Sequence, residues 1–216
     1  MPSPTPSWVL HHALEAWQPE SHASLPVLER YFGGDATLEE RISQSDLLQS
    51  EGLKFIFEEA RRQSPRCGAA LNWAFNEPWI TAANLCIVRY PDIPKPAYFA
   101  VKDALRPSLF SASFEKIEWK SGEVFKAQLW LLNDSPDTVS AGAEAYIELG
   151  GKTIPLAVVE RDEFGPNENK PLCSVKCTLP HADTDRMKLI IRASDDSLSG
   201  EYEFIFNPAA KRPDDT

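Results

Sequence analysis

The second half of the chain alternates apolar and polar residues with a period of two, which confines it to β-strands. In one run Phe125, Ala127, Leu129 and Leu131 alternate with Lys126, Gln128 and Trp130. The same alternation recurs over residues 143–149, 173–179, 187–193 and 202–206, and strands are also expected over 113–119 and 153–161. Turn residues such as Gly150-Gly151 separate these runs. The pattern predicts about seven strands, the number and spacing of an immunoglobulin-like sandwich.

The first half has helical periodicity instead. Helices are expected over residues 8–17, 25–31, 37–63 and 95–105, and Gly33-Gly34 ends the second of them. Thr37 and Glu40 form a capping box, in which each side chain binds the backbone of the other residue. Residues 68–73 are the one strand candidate before residue 110, and an irregular loop over 74–93 follows them. We therefore expect an α+β protein, with a mainly helical part over 1–107 and an all-β sandwich over 108–216.

Charge and composition exclude several function classes. The net charge of −10 disfavours a nucleic-acid partner, because the phosphate backbone attracts basic surfaces. No apolar run is long enough to cross a membrane, and the first residues do not resemble a signal peptide. Cys67, Cys86, Cys173 and Cys177 are expected to be structural thiols, since their spacing fits neither a disulfide framework nor a metal site. No metal and no cofactor is expected.

The concentrated functional signal is the segment from Trp73 to Trp79, just after the strand candidate. It holds Trp73, Asn76, Glu77 and Trp79. Aromatic faces stack on the C–H face of a sugar ring, while amide and carboxylate groups bind its hydroxyls. The segment therefore predicts a sugar-binding platform made of these four residues. The alternative is that both tryptophans are packing anchors within the core or the loop.

Glu77 lies in an Asn-Glu-Pro tripeptide, which surrounds the acid/base carboxylate in many (β/α)₈ glycosidases. A retaining mechanism needs a second carboxylate about 5–5.5 Å away, normally from another barrel strand. Only a helix and a sandwich follow Glu77, so we do not expect it to be an acid/base catalyst. The sequence also has no Gly-x-Ser-x-Gly nucleophile motif.

Two motifs together resemble the end of the catalytic barrel in glycoside hydrolase family 2, with the β-mannosidase-like and the related β-galactosidase-like branches as the nearest matches. They are Gly68-Ala69-Ala70-Leu71-Asn72-Trp73-Ala74-Phe75-Asn76-Glu77-Pro78-Trp79 and Pro94-Lys95-Pro96-Ala97-Tyr98-Phe99-Ala100. The resemblance implies that they are the eighth barrel strand and the start of the eighth helix. It also implies that the segment from Phe125 to Asp134 is the first long strand of the immunoglobulin-like domain that follows the barrel.

The resemblance further implies a sugar site without its catalytic pair. Trp73 would line the subsite of the sugar that is cleaved, with Asn76 and Trp79 nearby. The two catalytic glutamates of the family would lie before residue 8, so no catalytic residue is expected within the chain. The chain is then expected to be an inactive part of a longer glycosidase that acts on β-mannosides or related sugars. Its compartment, cytoplasmic or exported, would be that of the parent enzyme.

Two other functions stay open from the sequence. The sandwich could be a non-catalytic module that binds a glycan or a protein. Alternatively, Glu77 could work with a second carboxylate, such as Asp92 or Glu160, in a small enzyme of a different kind. If the rest of a barrel is missing, helices that should cover it would expose apolar faces, and the lone strand would have open edges. We therefore expect the first half to contact the sandwich or to self-associate.

Overall fold

The computed structural model describes residues 25–81 and 85–208. The helix expected over residues 8–17 lies outside these ranges. The described residues form two compact units. One comprises residues 25–57 and 69–105, with the gap at 82–84, and the other comprises residues 58–68 and 106–208. No helix within the described ranges has the length and apolar character needed to cross a membrane.

Two helices of the first part of the chain follow the sequence signals closely. Helix α1 covers Leu25–Phe32, and it ends where Gly33 adopts a left-handed φ of 80°. Helix α2 covers Leu38–Arg62 and begins with the expected capping box. The Thr37 N–H donates to the Glu40 carboxylate at 2.7 Å, and the Glu40 N–H donates to the Thr37 hydroxyl at 3.3 Å. Both predictions are confirmed because capping is a local interaction between near neighbours in sequence.

A short antiparallel pair and a helix follow the 73–81 loop. Strands β1 (Val88–Arg89) and β2 (Ile93–Pro94) pair with each other, and helix α3 spans Pro96–Ala104. The strand expected over residues 68–73 is wrong, because this segment forms no ladder with any other described residues. A strand requires a neighbour to satisfy its backbone groups, and no strand of the described chain pairs with it. Leu71 within it is 94% exposed.

The second unit is an eight-stranded β-sandwich, which confirms the sandwich and adds one strand to the expected seven. The first sheet has the order β4-β10-β9-β6-β7, and the second has the order β3-β5-β8. The strands are β3 (Ser108–Phe114), β4 (Glu118–Lys120), β5 (Val124–Asn133), β6 (Val139–Leu149), β7 (Lys152–Phe164), β8 (Glu168–Thr178), β9 (Arg186–Ala193) and β10 (Gly200–Asn207).

The extra strand lies where the sequence predicts a single strand over residues 113–119. The chain passes from one sheet to the other within this segment and so forms two strands, β3 and β4. Strand β3 pairs antiparallel with β5, whereas β4 pairs parallel with β10, where Trp119 lies opposite Phe206. The turn between β3 and β4 brings the Trp119 side chain into the core, where it is 3% exposed. Its ring centroid lies 4.9 Å from that of Phe125. The prediction of one continuous strand over residues 113–119 is wrong, because the chain leaves the second sheet after Phe114 and joins the first at Glu118.

The core of the sandwich is formed by the inward positions of the alternating runs. Phe125, Leu129, Leu131, Leu189 and Phe204 are each fully buried. Because side chains of a strand alternate between its two faces, these positions meet between the sheets. Burial of each such side chain contributes about 1.5–3 kcal/mol relative to exposure. The sequence alternation is therefore the main determinant of this unit.

The C-terminal turn of α2 belongs to the sandwich unit through buried polar contacts. Glu58 and Tyr202 are 2% and 1% exposed, and the Tyr202 hydroxyl donates to the Glu58 carboxylate at 2.6 Å. The Ser111 hydroxyl also donates to that carboxylate at 2.6 Å, and Arg62 donates to the Ser111 hydroxyl at 2.5 Å. Arg61 binds Asp134 at 2.6 Å, and burial lowers the pKa of this guanidinium. These contacts satisfy charges that would otherwise be costly to bury.

Candidate sugar-binding site

The loop over residues 73–79 presents its aromatic side chains to solvent. Trp73 is 78% exposed, Trp79 is 56% exposed, and Asn76 is exposed as well. The alternative that the two tryptophans are anchors within the core is therefore wrong for the described chain, whereas packing within the loop stays a prediction. Exposed tryptophan faces are the surface that stacking on a sugar requires. The Asn72 amide donates to the Ala74 carbonyl at 2.9 Å beside the cis peptide bond between Trp73 and Ala74.

Glu77 differs from the other three predicted site residues because it is buried, with 6% of its surface exposed. One carboxylate oxygen accepts the Thr81 hydroxyl at 2.8 Å. The other accepts the backbone N–H of Tyr90 at 3.0 Å. A buried carboxylate is stable when donors of this kind replace its water. The carboxylate of Glu77 is thus engaged by the protein itself.

The backbone of the loop is held against strand β1. The Glu77 N–H donates to the Val88 carbonyl at 3.1 Å, and the Val88 N–H donates to the Phe75 carbonyl at 2.9 Å. A parallel bridge joins Asn76 to Val88. The Lys95 N–H in turn donates to the Ile87 carbonyl at 2.9 Å, at the start of α3. The platform is therefore attached to the hairpin, and the hairpin is attached to α3.

A second set of side chains supports the hairpin from α2. The Lys95 ammonium lies 3.4 Å from the Gln49 amide oxygen, and the Gln49 amide nitrogen donates to the Leu85 carbonyl at 2.9 Å. Burial lowers the pKa of Lys95, and the nearby Asp46 and Glu77 carboxylates oppose this change. Burial also raises the pKa of the Cys86 thiol. Apart from Glu77, none of these side chains is predicted at the site from the sequence, although Lys95 lies within the Pro94-Lys95-Pro96 motif.

Phe75, which lies between the two tryptophans in sequence, adds a further exposed aromatic side chain to the loop. It is 60% exposed, and its ring lies edge-on to Tyr98 with centroids 6.3 Å apart. Tyr98 is itself edge-on to Phe99 at 5.3 Å, and Phe99 is 52% exposed. These rings are not among the residues predicted for the site. Phe75 lies within the Trp73-to-Trp79 segment that the sequence singled out, and Tyr98 and Phe99 lie within the second motif.

The sandwich has a recess of its own between β7 and β8, with a volume of about 260 Å³. Its lining includes Val158, Asp162, Phe164, Lys170 and Cys173. The Lys170 ammonium binds the Asp162 carboxylate at 3.2 Å, and Phe164 is fully buried. Because no aromatic face of this lining is exposed, the recess lacks the stacking surface that the 73–79 loop offers.

Curated relatives of the chain include several fungal β-mannosidases. The β-mannosidase B of Aspergillus niger is 31% identical over 141 residues, which cover 60% of this chain and 17% of that protein. The β-mannosidase B of Emericella nidulans is 32% identical over 104 residues, which cover 44% of this chain and 12% of that protein. No protein-family model matches the chain.

A solved structure has the same fold over nearly the whole chain. The crystal structure of β-D-mannosidase from Dictyoglomus thermophilum aligns with 93% of this chain at a TM-score of 0.70 and 19% identity. The chain spans 23% of that structure, and it spans less than a fifth of the fungal relatives. The chain is thus similar in sequence and fold to the C-terminal region of β-mannosidases, which confirms the predicted resemblance to the β-mannosidase-like branch of glycoside hydrolase family 2.

Proposed function

We propose that the chain is the C-terminal part of a family 2 β-glycosidase that hydrolyses terminal β-linked mannosides or related sugars. Residues 1–107 would be the end of its (β/α)₈ barrel, and residues 108–216 would be the immunoglobulin-like domain that follows. The fold similarity to the Dictyoglomus enzyme and the similarity to the fungal β-mannosidases support this assignment. The 68–73 segment would gain its strand partners from the rest of the barrel.

The observation that carries the proposal is the exposed aromatic platform on a loop held by backbone hydrogen bonds. Trp73 would stack on the sugar ring, and Trp79 would contact the same ligand. The exposed Asn76 amide would bind a sugar hydroxyl, which needs both donors and acceptors around it. Glu77 lies in the same loop, and its buried carboxylate would support the other three residues of the site.

The chain alone would bind sugar without hydrolysing it. Retaining hydrolysis requires two carboxylates about 5–5.5 Å apart, one of which protonates the leaving group while the other attacks the sugar. The carboxylate of Glu77 is buried and bonded to Thr81 and Tyr90, so it is poorly placed to reach a glycosidic oxygen. We expect both catalytic groups to come from the part of the parent enzyme that precedes these residues.

The proposal is tested by separating binding from turnover. The chain should release no nitrophenol from 4-nitrophenyl β-D-mannoside, and methyl β-D-mannoside should shift the resonances of the Trp73 and Trp79 indoles. Trp73→Ala should abolish these shifts, while Val158→Ala in the sandwich should leave them unchanged. Turnover that Glu77→Gln removes would contradict the proposal and favour a small enzyme. Shifts confined to sandwich residues would favour a separate binding module instead.

A further inference from the structure

The carboxylate of Glu77 closes the short loop that carries Trp79. Its Oε1 accepts the hydroxyl of Thr81, which lies four residues further along the chain. Trp79 is midway between these two residues in sequence and is exposed. A hydrogen bond across so short a segment restricts the conformations of the residues inside it. The bond therefore limits the directions in which the Trp79 ring can point.

The other carboxylate oxygen attaches the same loop to the hairpin. The Tyr90 N–H, just after strand β1, donates to the Oε2 of Glu77 at 3.0 Å. The backbone bond from the Glu77 N–H to the Val88 carbonyl lies beside it. One buried side chain thus connects the loop to residues that are four and thirteen positions away. These contacts are of the kind that preorganise a binding loop before its ligand arrives.

We propose that Glu77 is a positioning residue for the Trp79 face of the sugar site and does not itself contact the sugar. The inference rests on the proposed function, because it assumes that Trp79 contacts a β-mannoside. A loop that is ordered in the free protein loses less conformational entropy on binding. Loss of both acceptors would leave the Tyr90 N–H without its acceptor and would remove the side-chain closure of residues 77–81, while the backbone bonds to β1 remain.

Two substitutions of nearly equal length separate positioning from direct contact. Glu77→Met removes both acceptors, whereas Glu77→Gln keeps an oxygen for the Tyr90 N–H and an amide group that can donate to the Thr81 hydroxyl. We expect Glu77→Met to weaken methyl β-D-mannoside binding about tenfold, which corresponds to about 1.4 kcal/mol. Glu77→Gln should remain within about threefold of the native chain. Glu144→Met, at an exposed carboxylate on strand β6, is the matched control and should leave mannoside binding unchanged.

A double-mutant cycle shows whether Glu77 acts through Trp79. In a Trp79→Ala background the addition of Glu77→Met should weaken binding by less than about twofold, because the ring that it positions is gone. Full additivity of the two substitutions, or a loss in Glu77→Gln as large as in Glu77→Met, would overturn the inference. Either result would show that Glu77 does not act by positioning Trp79.

Amide hydrogen exchange tests positioning without any ligand. The Tyr90 amide should exchange at least about tenfold faster in Glu77→Met than in the native chain, and the Trp79 indole resonance should broaden or shift. Unchanged exchange at Tyr90 would overturn the positioning role. If the native chain binds no mannoside while these two signals respond as expected, the proposed function fails and the positioning role of Glu77 stands.

Discussion

The hydroxyl of Tyr202 lies 2.6 Å from the carboxylate of Glu58, although the two residues are 144 positions apart in sequence. The same hydroxyl accepts the N–H of Ala112 at 2.8 Å. Both side chains are almost completely buried. A tyrosine on strand β10 thus joins the last turn of α2 to strand β3, and it satisfies a buried charge while doing so.

Removal of this hydroxyl should destabilise the sandwich unit. Tyr202→Phe leaves the Ala112 N–H without an acceptor and removes one donor from the Glu58 carboxylate. We expect a loss of about 1–3 kcal/mol in the free energy of unfolding, measured by urea denaturation. Tyr90→Phe, at a ring that is 45% exposed, should change it by less than about 0.5 kcal/mol. Equal stabilities of the two variants would contradict the structural role of Tyr202.

Tyr202 should also make the protein sensitive to alkaline pH. Burial, together with the neighbouring Glu58 carboxylate, holds the pKa of Tyr202 well above its ordinary value of 10.0. Above pH 10 the unfolded chain therefore loses this proton while the folded chain keeps it, so stability falls as pH rises. The slope should approach about 1.4 kcal/mol per pH unit for this one group. Between pH 9 and 11, the free energy of unfolding measured in urea should fall more steeply for the native chain than for Tyr202→Phe. The same pH dependence in both proteins would contradict this role of Tyr202.

Truncation of a tryptophan to alanine should cost far more stability in the sandwich core than in the exposed loop. Trp119 is 3% exposed in the sandwich core, so Trp119→Ala should cost about 3–5 kcal/mol of unfolding free energy. Trp73 is 78% exposed, so Trp73→Ala should cost less than about 0.5 kcal/mol while it abolishes sugar binding. Chemical denaturation of both variants checks this contrast. A large loss of stability in Trp73→Ala would mean that the ring is a packing anchor after all.

The capping box should contribute measurably to α2. Thr37→Ala removes the oxygen that accepts the Glu40 N–H and should destabilise the helix by about 1 kcal/mol. Faster amide exchange at Glu40 and Arg41 would report this loss. Ser43→Ala, at an exposed position inside the same helix, should instead leave exchange unchanged or slow it, because alanine has the higher helix propensity. Amide exchange rates at Glu40 and Arg41 that are unchanged in Thr37→Ala would contradict a stabilising role of the cap.

The first unit should make the isolated chain self-associate. Of the sixteen large hydrophobic side chains that are exposed among the described residues, fourteen precede residue 106 and only two lie in the sandwich. Exposed apolar surface on this scale drives association. Sedimentation velocity at micromolar concentration should detect oligomers, and Leu71→Asp should reduce them more than Val158→Asp in the sandwich. A native chain that stays monomeric would contradict this expectation.

The sequence alone predicted the structures that depend on near neighbours and on periodicity. The alternation around Phe125 to Leu131 identified a buried strand because side chains of a strand must alternate between its faces. Thr37 and Glu40 identified the start of α2 because they bind each other within one helical turn. The aromatic segment from Trp73 to Trp79 identified the candidate site. The two motifs over residues 68–79 and 94–100 identified the family resemblance.

Only the tertiary structure decided what depends on partners that are distant in sequence. Residues 68–73 have the composition of a strand, but they form none because strands are made by pairing. Within the 73–79 segment, Glu77 is buried and accepts hydrogen bonds from the Thr81 hydroxyl and the Tyr90 N–H. The two tryptophans of the same segment remain exposed. The contact between Glu58 and Tyr202 has no sequence signal either. Residue type and spacing determine local structure, whereas burial is set by the elements that the fold brings together.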